Sequence, residues 1–296
     1  LASIVGKKEI GSNEEYRILF SLHTATAIIG MLIAYKVVSV IKNNRKEYSL
    51  RKLYNLEPRF LRTELNRIAN GAVSSEIHIY NLLELNCFTW VFLEEQWTEQ
   101  IYHTINDVIS VLLKYENMPD LTSRTDDLFR DLYMAIMPTS VRHSLGEYYT
   151  PSWLAENVIN EAIRYSPLKG INGVRVLDSA AGSGTFPHKV ISMKRKEYCD
   201  LEKGKQLEHI LTEVASIDAN VLAVILARIN YFITIADLIS HEQKIYIPVF
   251  IGDSTVSNSD KLTEDKKYYV DKLLDAEGNT VTLRVPTHSV NNKEEF

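Results

Sequence analysis

An acid, Asp178, closes a short β-branched run and is followed at once by two glycines one residue apart, Gly182 and Gly184, in the stretch VRVLDSAAGSGTF over residues 174–186. Two more acids, Asp218 and Asp253, close two later apolar runs. Acids at the carboxyl ends of parallel strands line one edge of a sheet, where open α/β sheets bind ligands, and glycines let the backbone approach a ligand closely. A dinucleotide fingerprint would need a third glycine at position 187, which is Pro187, and a phosphate loop would need a lysine directly after one of these glycines, whereas Ser183 and Thr185 follow them. What is left suits a cationic, hydroxyl-bearing ligand with a nucleoside part: the second acid can accept from both ribose hydroxyls and the third from an exocyclic amine. Two plainer readings stand beside this one. The glycines would also serve a tight strand-to-helix turn with no ligand, and strand-end acids also cap helices, as Asp218 would for a helix opening at Ala219.

These residues need a parallel sheet to position them. Strands are expected over 174–178, 214–218 and 245–251, with crossover helices between, one of them after Pro187 and carrying Lys194, Arg195 and Lys196 at its far end. Asp178 and Asp218 lie 40 residues apart, room for two helices between the first strands. Residues 280–285 read as one further strand. Ahead of the sheet the pattern from residue 13 to Pro138 is helical, with apolar residues at three and four spacing. Leu128, Phe129, Leu132, Tyr133 and Ile136 mark one face after a start over 123–127, and Pro138 closes it. Trp90, Phe92 and Trp97 fall at helical spacing among aliphatics and are assigned to core. The expected organisation is therefore an all-α domain over 1–140 followed by an α/β domain over 141–296.

The chain has 296 residues, 45% hydrophobic and 24% charged, with a net charge of -5, so no global basic surface advertises nucleic acid or an anionic membrane. The basic run over 42–52 is assigned to a solvated helix end. Cys87 and Cys199 are far apart and have no metal-ligand spacing, which points to a reduced, cytoplasmic protein with neither a catalytic thiol nor a metal. Residues 18–41 are apolar, but His23, Thr24, Thr26 and Lys36 interrupt them, and they are read as a buried helix with no membrane span. The chain opens on Leu1, as a processed chain or a piece of a longer one would.

Upstream of the glycines lies LGEYYTP, residues 145–151. Thr150 as cap and Pro151 at the first helical position explain two of its residues structurally. They leave Gly146, Glu147, Tyr148 and Tyr149 unexplained. LGEYYTP, VLDSAAGSGTF, SIDAN and IGDS, in this order, resemble the amino-terminal part of the N6-adenine DNA methyltransferases of restriction-modification and phage-defence systems. The resemblance covers about 110 residues, 142–254. It implies a Rossmann-like S-adenosylmethionine-binding core. Tyr148, Tyr149, Thr150 and Pro151 would line the methionine end with Asp178, Ala180, Gly182, Gly184 and Thr185. Asp218 with Ala219 would take the ribose, and Asp253 with Ser254 the adenine. The expected partners are double-stranded DNA, mainly through regions beyond residue 296, and a specificity or restriction subunit. A helical domain ahead of the core is also a habit of that family.

Two departures qualify the resemblance. The family's Asp-Pro-Ala-Cys-Gly-Ser-Gly reads Asp178-Ser179-Ala180-Ala181-Gly182-Ser183-Gly184, with small residues exchanged for small ones. The catalytic signature, Asn or Asp before Pro-Pro and an aromatic, is absent, since the chain contains no Pro-Pro dipeptide. In the family that signature holds the amine of a flipped adenine. The expectation is thus an incomplete core that binds cofactor without turnover, an amino-terminal fragment of an enzyme. A non-catalytic cofactor-binding or scaffold module is the alternative, and a methyltransferase for RNA or protein a further one.

Overall fold

The computed structural model describes residues 11–41, 48–83, 87–114, 128–144, 149–166, 170–239, 243–254, 268–274 and 280–286. The first long apolar stretch becomes one 30-residue helix, α1 (Ser12–Ile41). Its polar residues do not break it because they bond inward: Thr24 and Thr26 donate to the carbonyls of Phe20 and Leu22, both at 2.8 Å. Trp90 Nε1 in turn donates to Thr24 Oγ1 at 3.0 Å, and the ring of Phe20 stacks on Phe88 and Trp90. Met31, Leu32, Ala34 and Tyr35 lie in the core.

Short helices follow: α2 (Leu50–Tyr54), α3 (Pro58–Ala69) and α4 (Ala72–Ser75), then a single 3-10 turn, Thr89–Phe92, and α5 (Glu99–Leu113). Ser49 caps α2 by accepting from the Lys52 N–H, and Thr98 caps α5 by accepting from the Ile101 N–H. Next come α6 (Leu128–Ile136), which ends before Pro138 as expected, α7 (Thr139–Ser144) and α8 (Ser152–Tyr165). The expected helix start over 123–127 and the basic residues 42–47 lie outside the described residues.

From β1 (Val176–Asp178) the chain passes through α9 (Thr185–Glu197) and α10 (Lys203–Glu213) to β2 (Val214–Asp218), then through α11 (Val221–Ile235) to β3 (Val249–Ile251). The three strands form a parallel sheet in the order β1-β2-β3, with Asp178 in register with Ser216 and Asp218 with Ile251. α9 and α11 pack on one face, where Val214, Ser216 and Val249 are buried. The other face carries Leu177, Ala215, Ile217 and Phe250, and is open: Leu177 is 62% and Phe250 51% exposed. α1 and α11 are long and apolar enough to cross a membrane by length and composition, and they pack on each other, with the apolar window of α11 89% buried inside the fold.

The third strand is shorter than its apolar run. Pro248 has no N–H to give to a ladder, and the residues before it turn to the helical region instead. Ile245 donates to the His78 carbonyl at 2.8 Å and accepts from the Tyr80 N–H, while both ends of the Asn81 amide bond Ile247, at 2.8 and 2.9 Å. α9 also begins before Pro187, because a proline in the first helical turn forfeits no intrahelical hydrogen bond. Lys194, at the far end of that helix as expected, is fully buried. Its Nζ donates to the Ile171 carbonyl at 3.0 Å and to Glu213 Oε2 at 2.5 Å, and Tyr198 and His209 bond the same carboxylate.

The regions expected as separate domains, 1–140 and 141–296, fold together as far as residue 252: α1 packs on α11, and one continuous core runs from Ala27 to Val249. The chain divides into two compact units, 1–252 and 253–296. In the second unit β4 (Tyr268–Leu274) and β5 (Thr280–Pro286) pair antiparallel, so the expected strand over 280–285 forms as half of a hairpin.

Candidate functional site

β1 ends at Asp178 and the chain turns through Gly182 and Gly184 into α9, with both glycines at positive φ, +54° and +89°. The turn is fixed to the end of β2. Ala181 N–H donates to the Ile217 carbonyl at 3.0 Å, Gly182 N–H to Asp218 Oδ2 at 2.8 Å, and Gly184 N–H closes on the Ala181 carbonyl at 2.8 Å. Ala180 N–H donates to Asp178 Oδ1 at 3.1 Å. Four amides of the turn, those of residues 180, 181, 182 and 184, are thus used internally, which agrees with a loop that lacks phosphate-binding chemistry.

The two glycines do different work. A Cβ on Gly184 would lie 3.2 Å from Ala227 Cα and 3.3 Å from its Cβ, so this glycine lets α11 cross the turn. A Cβ on Gly182 would meet, among the described residues, only Cε1 of Tyr149, at 3.6 Å. The Tyr149 ring therefore overlies Gly182, and the tyrosine segment and the glycine turn meet in space as well as in resemblance.

Asp218 is the organiser of the turn. Besides Gly182 it accepts from the Asn220 N–H at 2.8 Å through Oδ1, and Asn220, two residues beyond Asp218, is the cap of α11 in its place, accepting from Leu222 and Ala223. Each carboxylate oxygen keeps a second lone pair, so a ligand hydroxyl can still be accepted there. Asp178 differs. Its Oδ2 is buried with no hydrogen-bond partner, and so is Oγ of its register neighbour Ser216. Burial pushes the Asp178 carboxyl above the ordinary carboxylate range, the Ala180 N–H opposes the rise, and the charge of Asp218 adds to it. A cationic or hydrogen-bond-donating ligand would relieve both the orphaned oxygen and the crowding of negative charge.

Of the remaining expected residues, Thr185 is buried at the start of α9, while Ala180 and Ala219 are exposed beside the two acids. Thr150 does not cap α8: the helix begins at Ser152, with Pro151 in the cap position and no side-chain cap, and the Thr150 carbonyl accepts from Arg130 Nη1 at 3.4 Å. Tyr148, with Gly146 and Glu147, lies outside the described residues. Asp253 and Ser254 are exposed and open the second unit.

Three contributors escaped the motif reading. Asn230 sends Nδ2 to the Ser183 carbonyl at 3.2 Å, Ala227 admits Gly184, and Tyr133 packs its ring against Tyr149. Asn230 left a trace in the sequence, as one of three polar residues, with Arg228 and Thr234, in the mainly apolar run of α11.

The described residues define a helix-rich α/β unit whose three-stranded parallel sheet carries a glycine turn and two facing acids at its carboxyl edge. No family model matches the chain, and no curated protein does. Among solved structures it is similar to a chain of the DrdV–DNA complex determined by cryo-EM, with 15% identity and a TM-score of 0.41. The match covers 79% of this chain and 25% of that one, so the sequence spans about a quarter of that chain's length.

Proposed function

We propose that the glycine turn with Asp178 and Asp218 binds S-adenosylmethionine, and that the chain is the cofactor-binding part of a DNA adenine-N6 methyltransferase of a restriction-modification or related defence system, acting in the cytoplasm on double-stranded DNA. The observation that carries this reading is the buried, unpartnered Oδ2 of Asp178, at the strand end that opens a turn with four amides already engaged and with Tyr149 against Gly182. Such a niche favours a cation and hydroxyls over a phosphate. A Rossmann-like core, of which this sheet would be the first half, is part of the same proposal. The strand order β3-β2-β1 leaves the outer edge of β1 for the strand that the doubly wound order would place next.

The cofactor would supply a methyl group on a sulfonium, already an activated leaving arrangement. The chain's own residues would do the holding. Asp178 would accept from the ligand's cationic methionine end, Asp218 from the ribose hydroxyls through its second lone pairs, and Tyr149 would exclude water above Gly182. Adenine recognition by Asp253 and Ser254 is carried over from the resemblance. No Pro-Pro signature occurs in the sequence, so we expect binding without turnover from this chain. The same absence favours, as a second reading, a non-catalytic cofactor-binding or scaffold module.

Calorimetry with S-adenosylmethionine on the full chain tests the reading. Binding should be measurable and should weaken about 10- to 100-fold in Asp178→Asn, the range expected for losing a hydrogen bond to a charged group. Absence of heat from the wild type, or an unchanged affinity in the variant, would remove the proposal. Asp218→Ala is the poorer probe, because Asp218 also holds the Gly182 and Asn220 amides and its loss would disturb the turn itself.

A further inference from the structure

The tyrosine segment is held over the turn from outside the sheet region. Tyr133 on α6 is almost wholly buried, and its ring lies 5.2 Å from that of Tyr149, centroid to centroid, at 46°. On its far side the Tyr133 hydroxyl meets His23 Nε2 of α1 at 3.4 Å. One turn earlier on α6, Arg130 reaches the Thr150 carbonyl, with its guanidinium oriented by Asp131 at 2.7 Å. Residues 149 and 150 are therefore gripped at two points by one short helix, which is itself seated on α1. Among the described residues, the one atom that a Cβ on Gly182 would meet belongs to the ring so gripped.

We infer that α6, through Tyr133 and Arg130, is the positioning element of the cofactor site: it holds Tyr149 over Gly182 and so sets both the order of the glycine turn and the affinity for an adenosyl ligand. The affinity half rests on the proposed function; the ordering half does not. Tyr133 touches no ligand in this scheme. It acts through Tyr149, and the helical region thereby becomes part of the binding apparatus.

The test uses the full chain and three variants, Tyr133→Leu, Tyr133→Phe and Arg130→Ala. Hydrogen exchange is read without ligand on peptides covering 179–186 and, as a control, 203–213 in α10. Tyr133→Leu should speed exchange in the turn selectively, because a local opening becomes more frequent while the rest of the unit keeps its protection. Tyr133→Phe, which keeps the ring and loses only the hydroxyl, should restore the wild-type pattern. Binding of S-adenosylhomocysteine should weaken about tenfold in Tyr133→Leu if the turn is then competent a tenth of the time. Arg130→Ala, a change at a partly exposed side chain, should weaken it in the same direction and keeps the test open if Tyr133→Leu does not fold. Equal acceleration in both peptides, or unaltered turn exchange in Tyr133→Leu and Arg130→Ala, would overturn the ordering half. Wild-type affinity in both variants would overturn the affinity half. A wild type that binds neither adenosyl ligand overturns the proposed function and the affinity half with it, while the ligand-free exchange still decides the ordering half.

Discussion

At the scale of single residues, the two glycines of one turn answer to different constraints, and a matched pair of substitutions separates them. Gly182 sits at φ +54° within the left-handed region, with only ordinary contact awaiting a methyl group, so Gly182→Ala should cost about 1 kcal/mol. Gly184 sits at +89°, left-handed as well, and its methyl would in addition press on Ala227 at 3.2 Å, so Gly184→Ala should cost about 3 kcal/mol, strain and overpacking together. Urea denaturation of the two variants measures the difference, and equal losses would mean that α11 yields to the added methyl. Binding should show the opposite ranking among folded protein, since Gly182 is the glycine that lies under Tyr149. A pattern of glycines and acids thus carried two roles under one motif, and only the contact with Ala227 tells them apart.

At the scale of elements, β2 formed over 214–218, the bounds expected for it, and the turn after β1 was legible because an acid and two glycines admit few backbone paths. The third strand was misjudged at its start for a definite reason. Apolar residues 245–247 were free to pair on either side, and Asn81, distant in sequence, captured them. The run Lys194-Arg195-Lys196 marks the basic far end of a helix, yet Lys194 is buried, because Glu213 on α10 and the Ile171 carbonyl await it. Charge alone does not say which way a lysine turns; the partner lies 19 residues away. Burial by itself would raise the Glu213 carboxyl, and the hydrogen bonds from Lys194, Tyr198 and His209 hold it below its ordinary range instead. Lys194→Met would strand that carboxylate and should destabilise the protein by about 3–5 kcal/mol, while Lys194→Met with Glu213→Leu should recover part of the loss, since removing both charges removes the desolvation penalty. Thermal or urea denaturation of the single and double variants measures the coupling. A double variant no more stable than Lys194→Met would refute the account of the pair as mutually dependent.

At the scale of the whole molecule, the described helices cover one face of the parallel sheet and leave Leu177 and Phe250 exposed on the other, although all-parallel sheets are almost always covered on both. Leu177 at the β1 edge and Phe250 on β3 bracket Ala215 and Ile217 on that face, and the outer edge of β1 pairs with no other strand among the described residues. An apolar face bordered by an unpaired edge is a template for association. The chain should therefore self-associate at micromolar concentration. Leu177→Lys with Phe250→Glu should shift it toward monomer while changing the stability of unit 1 by no more than about 0.5 kcal/mol per site, because neither side chain is buried. Sedimentation velocity over a concentration series reads the outcome. If the wild type stays monomeric throughout, the bare face is tolerated in water and loses its force as support for a sheet that further strands complete. If the double variant associates as the wild type does, the contact lies elsewhere on the molecule. If association falls and adenosyl binding persists, the open face and the glycine edge are separable surfaces of one sheet, as expected when ligands sit at the ends of strands and packing partners sit on their faces.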